Sequence, residues 1–480
     1  MLLRPPAWAQ SVLQYHSSPG RAGNYVVPGF TPDRARSMHL DRAFDGRVGG
    51  HVYAQPLLFN EAGRELLVVA TENNVVDALD ARTGRLVWQK SLGKAVTSTM
   101  LPCGNINPLG ITGTPAIDDS RRAIYLDGMV LTQDGPQHLV FGLSLEKGQI
   151  LPGFPVNVAH ALAVRGPQFI PSDQNQRGAL LIIQNTVYIP YGGHFGDCGH
   201  YHGWVVGVGL DEPHRVITWS TRAAGGGIWA PGGVVSDGHS LFAATGNTFD
   251  TPQWGGGEAV IRLSLDLKPP MSTRDYFAAS DWRMLDRRDA DLGGTAPLPF
   301  DLNGSAGGAH LMLALGKDGK AYLLNRDNLG GVGGGLATRQ VSSDEIKTAP
   351  VVYPAPDGGA FVVFAGGGIN CPAAAISHPS IAALKFQTHY KPAILTAWCA
   401  SLDGSGAPIV TTTDGRSDAI VWIVGAEGDD RLHAFRGNTG ESLLAEPQVR
   451  LQGLRHFATI VATQQHLFVP ADGKIYAFTP

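Results

Sequence analysis

The chain has 480 residues, with 43% hydrophobic and 16% charged side chains, 62 glycines and 32 prolines. That balance describes an ordered, turn-rich globular chain with ample core and excludes a disordered one. The formal net charge of −4 comes with no Lys/Arg stripe, which argues against a nucleic-acid partner, and no run of ~18 apolar residues exists to form a transmembrane helix.

In chain order, residues 1–35 read as an N-terminal extension. Ala7-Trp8-Ala9 before Gln10 has the small-x-small form of a processing site, whereas Met1–Pro6 lacks the apolar stretch of a signal. Arg36–Phe44 follows, just ahead of the first clear element.

Leu67–Leu92 predicts three short strands joined by turns at Glu72-Asn73-Asn74 and Thr83-Gly84, the last strand closing on Trp88. Weaker copies recur, with anchors at Leu79, Leu143, Val208, Leu263, Leu323, Leu384, Phe435 and Phe478. Their spacing of roughly 45 to 65 residues fits one four-stranded propeller blade plus loops. A small residue or Gln, then Pro, then an apolar run marks most blade entries: Pro56, Pro115, Pro231, Pro297, Pro350 and Pro408. Proline at the first residue of a strand sacrifices no ladder hydrogen bond.

The fold class is therefore all-β: an eight-bladed β-propeller spanning 36–480 as one domain. The eighth copy has only three strands (456–462, 466–470 and 474–479), so Arg36–Phe44 is expected to pair with it and close the ring. A closed ring exposes no sheet edge that demands pairing, and a monomer is expected.

In a propeller, the loops between second and third strands share one face with the linkers that enter each blade. That face collects polar groups from several blades: Glu72, Asn73, Trp229, Asn247, Lys317, Asp318 and Glu427. Convergent groups of this kind orient a ligand, here a small molecule, carbohydrate or protein partner. For each polar residue singly, β-turn chemistry is the competing explanation. Trp229 reads as an aromatic platform or as a packing wedge between blades.

The densest cluster on the face is HFGDCGHYHGW, residues 194–204. Imidazole and carboxylate suit Zn, Cu or Fe, so His194, Asp197 and His202 are the metal-ligand candidates. Backbone hydrogen bonds that hold the loop are the alternative.

Four cysteines allow three pairings. Buried free thiols are one reading. If bridges form, the shared face pairs Cys103 with Cys198 and Cys371 with Cys399. An even cysteine count suits an exported protein, periplasmic or secreted.

Ala78-Leu79-Asp80, Thr83-Gly84 and Trp88 resemble the pyrroloquinoline-quinone (PQQ)-binding-like repeat, as do Asp472–Phe478. The segments VYAQPL (52–57), GITGTPAID (110–118), NQRGAL (175–180), YHGW (201–204), GGIW (226–229), ATGN (244–247) and GKDGKAYLLNRDNLGG (316–331) are similar to an exported bacterial and fungal group of such propellers. For the alcohol dehydrogenases of this kind, the resemblance implies a vicinal Cys-Cys disulfide over the quinone, Ca²⁺ held by Glu and Asn, an Asp base and a Trp floor. Trp229 is the candidate floor. No two cysteines are adjacent, so PQQ is not supported by the sequence. The expected function is ligand binding at the face; a PQQ- or metal-dependent oxidoreductase and an assembly scaffold are the alternatives.

Overall fold

The computed structural model describes residues 10–480 except 62, 164–167, 250, 303–307, 373–377, 388–392 and 445–448. The Ala7–Ala9 pattern lies outside these residues. Eight sheets form a closed β-propeller. Blade one runs Leu57–Glu61, Arg64–Ala70, Val75–Asp80 and Leu86–Ser91 in simple antiparallel order. The innermost strands of blades two, five, six and seven begin one residue after Pro115, Pro297, Pro350 and Pro408, as Leu57 follows Pro56.

The ring closes as expected. His39–Leu40 pairs antiparallel with Lys474–Thr479, supplying the fourth strand of blade eight from the N-terminal side. Blade seven departs from the expected pattern. Its outer position holds only an isolated bridge between Phe435 and Ser442, and its fourth strand is Asn24–Val26, parallel to the innermost Ile409–Thr412. Blade four gains a fifth strand, Gly331–Val332, parallel to Tyr276–Ala278.

The core lies between blades. Leu57, Val76, Trp88, Ile124 and Leu143 pack blade one against blade two. Trp88 donates its indole N–H to the Leu145 carbonyl at 2.8 Å. Its ring lies so close to Gly148 that a Cβ there would come within 2.7 Å of it, and Gly148 holds φ at +64°. Trp398 and Gly440 repeat the arrangement between blades six and seven. The recurring tryptophan and turn glycine are thus one packing device, a large apolar surface with a satisfied N–H docked on a residue without a side chain.

The channel is not open through the ring. Residues 11–27 enter it and hydrogen-bond to the inner edges of the blades. Val12 bridges Leu58 of blade one, and Ile117 of blade two donates to the Leu13 carbonyl at 2.8 Å. Ser236 of blade four donates to Pro19, Val352 of blade six to Ala22, and Val410 of blade seven to Gly23, each at 2.9 Å. Tyr15 reaches Thr459 at the entry of blade eight, 3.1 Å away. Arg21 is 2% exposed and donates to the carbonyls of Tyr15, Leu180, Gly232 and Val234. This segment makes the channel a cup with a floor.

Candidate functional site

The linkers into blades four and five meet at the mouth of the cup. Trp229 is half-buried and donates its indole N–H to Asp291 Oδ2 at 3.1 Å. Lys317 Nζ lies 2.6 Å from the same oxygen and 2.8 Å from Asp289 Oδ1. The Asn247 backbone N–H donates to Asp291 Oδ1 at 2.8 Å. Gly246 allows this approach, since a Cβ there would lie 2.5 Å from Asp291 Oδ1. Burial pushes the Asp291 pKa up against the pull of Lys317. Burial opposes the Lys317 charge, but Asp291 and Asp289 prevail and raise its pKa.

Glu258 lies behind this cluster with no exposed surface. It accepts from the Leu292 N–H at 2.7 Å, and its Oε1 has no hydrogen-bond partner among the described residues. Burial first, then repulsion from Asp291, hold its pKa well above the usual carboxylate range. Burial and the neighbouring carboxylate both favour the neutral form of Glu258, while Asp291 is held by Lys317.

The Trp229 ring is faced by two cations. Lys317 Nζ is 5.2 Å from its centroid and the Arg177 guanidinium carbon 5.8 Å. Arg177 also lies 4.5 Å above the centroid of Phe457 from blade eight. A cavity of about 560 Å³ opens beside Lys317 and Phe457 and reaches Ser343, Asp344, Lys347 and Ser405.

Of the residues expected at the site, Trp229, Asn247 and Lys317 come together. Asp318 is drawn away to the Tyr322 hydroxyl and to Lys320. Glu427 accepts from His456 Nδ1 at 2.9 Å on the blade-eight side. Glu72 is buried near His51, 3.9 Å away, and burial raises its pKa. Asn73 donates to the Gly49 carbonyl. Asp291 and Arg177 were not singled out from the sequence. Arg177 lies in NQRGAL and Asp291 in the linker into blade five, but nothing local distinguishes them from ordinary loop charges.

The histidine-rich loop separates its candidates. His194 is 3% exposed and its Nε2 faces the Ser172 carbonyl at 2.9 Å. Asp197 accepts from the Tyr201 hydroxyl at 2.6 Å, and His202 Nδ1 faces the Thr221 carbonyl at 3.1 Å. Among the described residues, no group of three or more His, Cys, Asp or Glu is arranged to hold a metal ion. Cys103–Cys198 anchors this loop to the linker into blade two, and Cys371–Cys399 forms within blade six, the pairing expected from the shared face.

The chain superposes on quinohemoprotein alcohol dehydrogenase ADHIIG from Pseudomonas putida HK5 with a TM-score of 0.67 at 12% identity, covering 98% of this chain and 80% of that one. The quinohemoprotein alcohol dehydrogenase from Comamonas testosteroni gives 0.66 at 13% identity, with the same coverage. The fold is that of a quinoprotein-like propeller. BamB from Moraxella catarrhalis gives 0.52 at 13% identity, covering 90% of this chain and 99% of that one. No protein-family model matches the chain, and no curated protein matches it in sequence.

The fit of this quinoprotein-like mouth to PQQ is incomplete. Trp229 offers an aromatic surface, and Lys317 and Arg177 offer cations to a planar anion. The vicinal disulfide is missing: the two disulfides join cysteines 95 and 28 residues apart. Both oxygens of Asp291 are engaged, by Trp229 and Lys317 on one side and the Asn247 N–H on the other.

Proposed function

We propose that this propeller binds a small organic molecule at the mouth of its closed channel, around Trp229 and Lys317, without quinone redox chemistry. One observation carries the reading: Arg177 from the linker into blade three, Asp291 from the linker into blade five and Lys317 from the blade-five hairpin loop converge on the Trp229 indole, above a channel floored by the chain's own N-terminal segment. A built floor and a rim of fixed charges favour a ligand of limited size over a rod passing through the ring. The two disulfides favour an oxidising compartment, so the protein is taken as exported.

The test is a thermal-shift screen of carboxylic acids, sugars, nucleotides and amines on wild type and Lys317→Met in parallel. The expected result is at least one chemical class that raises the wild-type Tm and has a weaker effect on the variant. A screen with no hit, or hits indifferent to Lys317, sinks the reading.

A second reading, a PQQ-dependent oxidoreductase, is favoured by the fold likeness together with the Trp229–Asp291 pair. Adding PQQ and Ca²⁺ to the purified protein separates the two. Dye-linked alcohol oxidation supports the enzyme. Absence of turnover beside a saturable hit from the screen supports the binding protein.

A further inference from the structure

Arg177 differs from the other cations around the mouth. Lys317 has Asp289 and Asp291, Arg455 has Asp472 at 2.6 Å, and Arg21 has four carbonyls. The Arg177 guanidinium has no hydrogen-bond or ion-pair partner among the described residues. It is held only by the faces of Phe457 and Trp229. A guanidinium carries five donors in a rigid fork, and at Arg177 no protein acceptor among the described residues matches them. Burial lowers its pKa to about 10, so it stays charged at neutral pH.

The surroundings leave that charge uncompensated. Arg177 lines a recess of about 20 Å³ with Tyr15, Tyr53, Ile106, His456 and Phe457. No residue lining the recess is acidic. Glu427 is held by His456, which lines the recess. The volume suits one or two solvent-sized atoms. Tyr15 closes the recess from below, fixed by its bond to Thr459. Phe457 also lines the 560 Å³ cavity, which places that larger space at the same ring.

We infer that the ligand of the mouth is an organic carboxylate, its oxyanion paired with the Arg177 fork and its apolar body against Phe457 and Trp229. The inference rests on the binding role proposed above and specifies the ligand's charge. A carboxylate matches the fork bidentately, and the flanking rings match a flat apolar body. Arg177 is the specificity residue in this scheme. Lys317, shared with Asp289 and Asp291, adds a second and weaker positive charge at the rim.

The experiment uses benzoate and its neutral isostere benzamide as probes, by calorimetric titration and tryptophan fluorescence on the full chain. Wild type is expected to bind benzoate at least tenfold more tightly than benzamide. Arg177→Gln is expected to lose that preference, and Arg177→Lys to keep part of it, since a point charge replaces the fork. Phenyl phosphate is the third arm. Binding tighter than benzoate would overturn the carboxylate assignment. Benzamide binding as well as benzoate, with Arg177→Gln indifferent, overturns the inference and leaves the binding role standing. Failure of all three probes, together with a screen free of hits, removes both. Failure of all three beside a hit that is not an acid removes the inference alone, as does such a failure beside acids that bind equally to wild type and Arg177→Gln. Should Arg177→Gln not fold, the wild-type preference and the Arg177→Lys variant still decide.

Discussion

Trp229 donates its indole N–H to Asp291 Oδ2 at 3.1 Å, tying the linker into blade four to the linker into blade five. The carboxylate also holds Lys317 and the Asn247 N–H, so removing it leaves the Trp229 and Asn247 N–H groups unpaired and Lys317 with Asp289 alone. Asp291→Ala is expected to cost about 3 kcal/mol in urea unfolding, the usual scale for breaking a buried ion pair. Trp229→Phe removes one neutral N–H and leaves the pair intact, so it is expected to cost only about 1 kcal/mol. Equal losses for the two variants would contradict this account.

Arg21 anchors the segment that floors the channel. Its side chain satisfies four carbonyls from the floor segment and from blades three and four, with no carboxylate among them. Arg21→Met leaves those acceptors buried and unpaired, and a loss of about 4 kcal/mol is expected. Arg21→Lys should recover little of it, because one ammonium cannot reproduce the fork. Chemical denaturation measures the loss. Limited proteolysis adds a local readout, with cleavage expected within residues 11–27 before any blade is cut.

The disulfides close loops of different length. Cys103–Cys198 spans 95 residues and Cys371–Cys399 spans 28. If chain entropy of the unfolded state dominates, losing the first costs about 4.7 kcal/mol and losing the second about 3.6 kcal/mol. Paired Cys→Ser variants test the order. The longer loop should show the larger fall in Tm, and the reverse order would point to native-state contacts instead.

The sequence showed the ring more clearly than the mouth, for a physical reason. Trp88, the entry prolines and the turn glycines repeat because each blade solves the same packing problem, so their period survives divergence. The cysteine pairing, given that bridges form, was legible because topology puts Cys103 near Cys198 and keeps Cys371 and Cys399 in one blade. The floor was not legible. Residues 11–23 meet the blades largely through backbone carbonyls, which any sequence supplies, and Arg21 carries no mark of its four acceptors. Arg177 was hidden for the opposite reason: its importance lies in the partners it lacks, and only a fold reveals an absence. Asp318 was ambiguous because a loop carboxylate beside a glycine serves a hairpin and a binding site equally well. The fold assigned it to Tyr322.

His16 makes the floor sensitive to acid. It has no exposed surface, stacks on Tyr15 with centroids 4.4 Å apart, and neither ring nitrogen has a hydrogen-bond partner among the described residues. Burial lowers its pKa to about 3 from an ordinary 6.5. Between these values the unfolded chain binds a proton that the folded chain refuses. Stability therefore falls as pH drops through that window, with a slope of up to about 1.4 kcal/mol per pH unit from this group alone. Above 6.5 both states are neutral and the contribution is flat. Asparagine tolerates the left-handed backbone at this position, where φ is +51°, and does not titrate. Urea unfolding from pH 7 to pH 4 is expected to show a shallower decline for His16→Asn than for wild type, the two curves converging in slope above pH 7. Glu258 acts in the opposite sense, since its raised pKa makes stability fall as pH rises from about 4.5. Glu258→Gln should remove that decline and leave the acid limb of His16 untouched. Parallel curves for wild type and His16→Asn across pH 4 to 6.5 would show that His16 is protonated in the folded protein and that the floor opens to admit the charge.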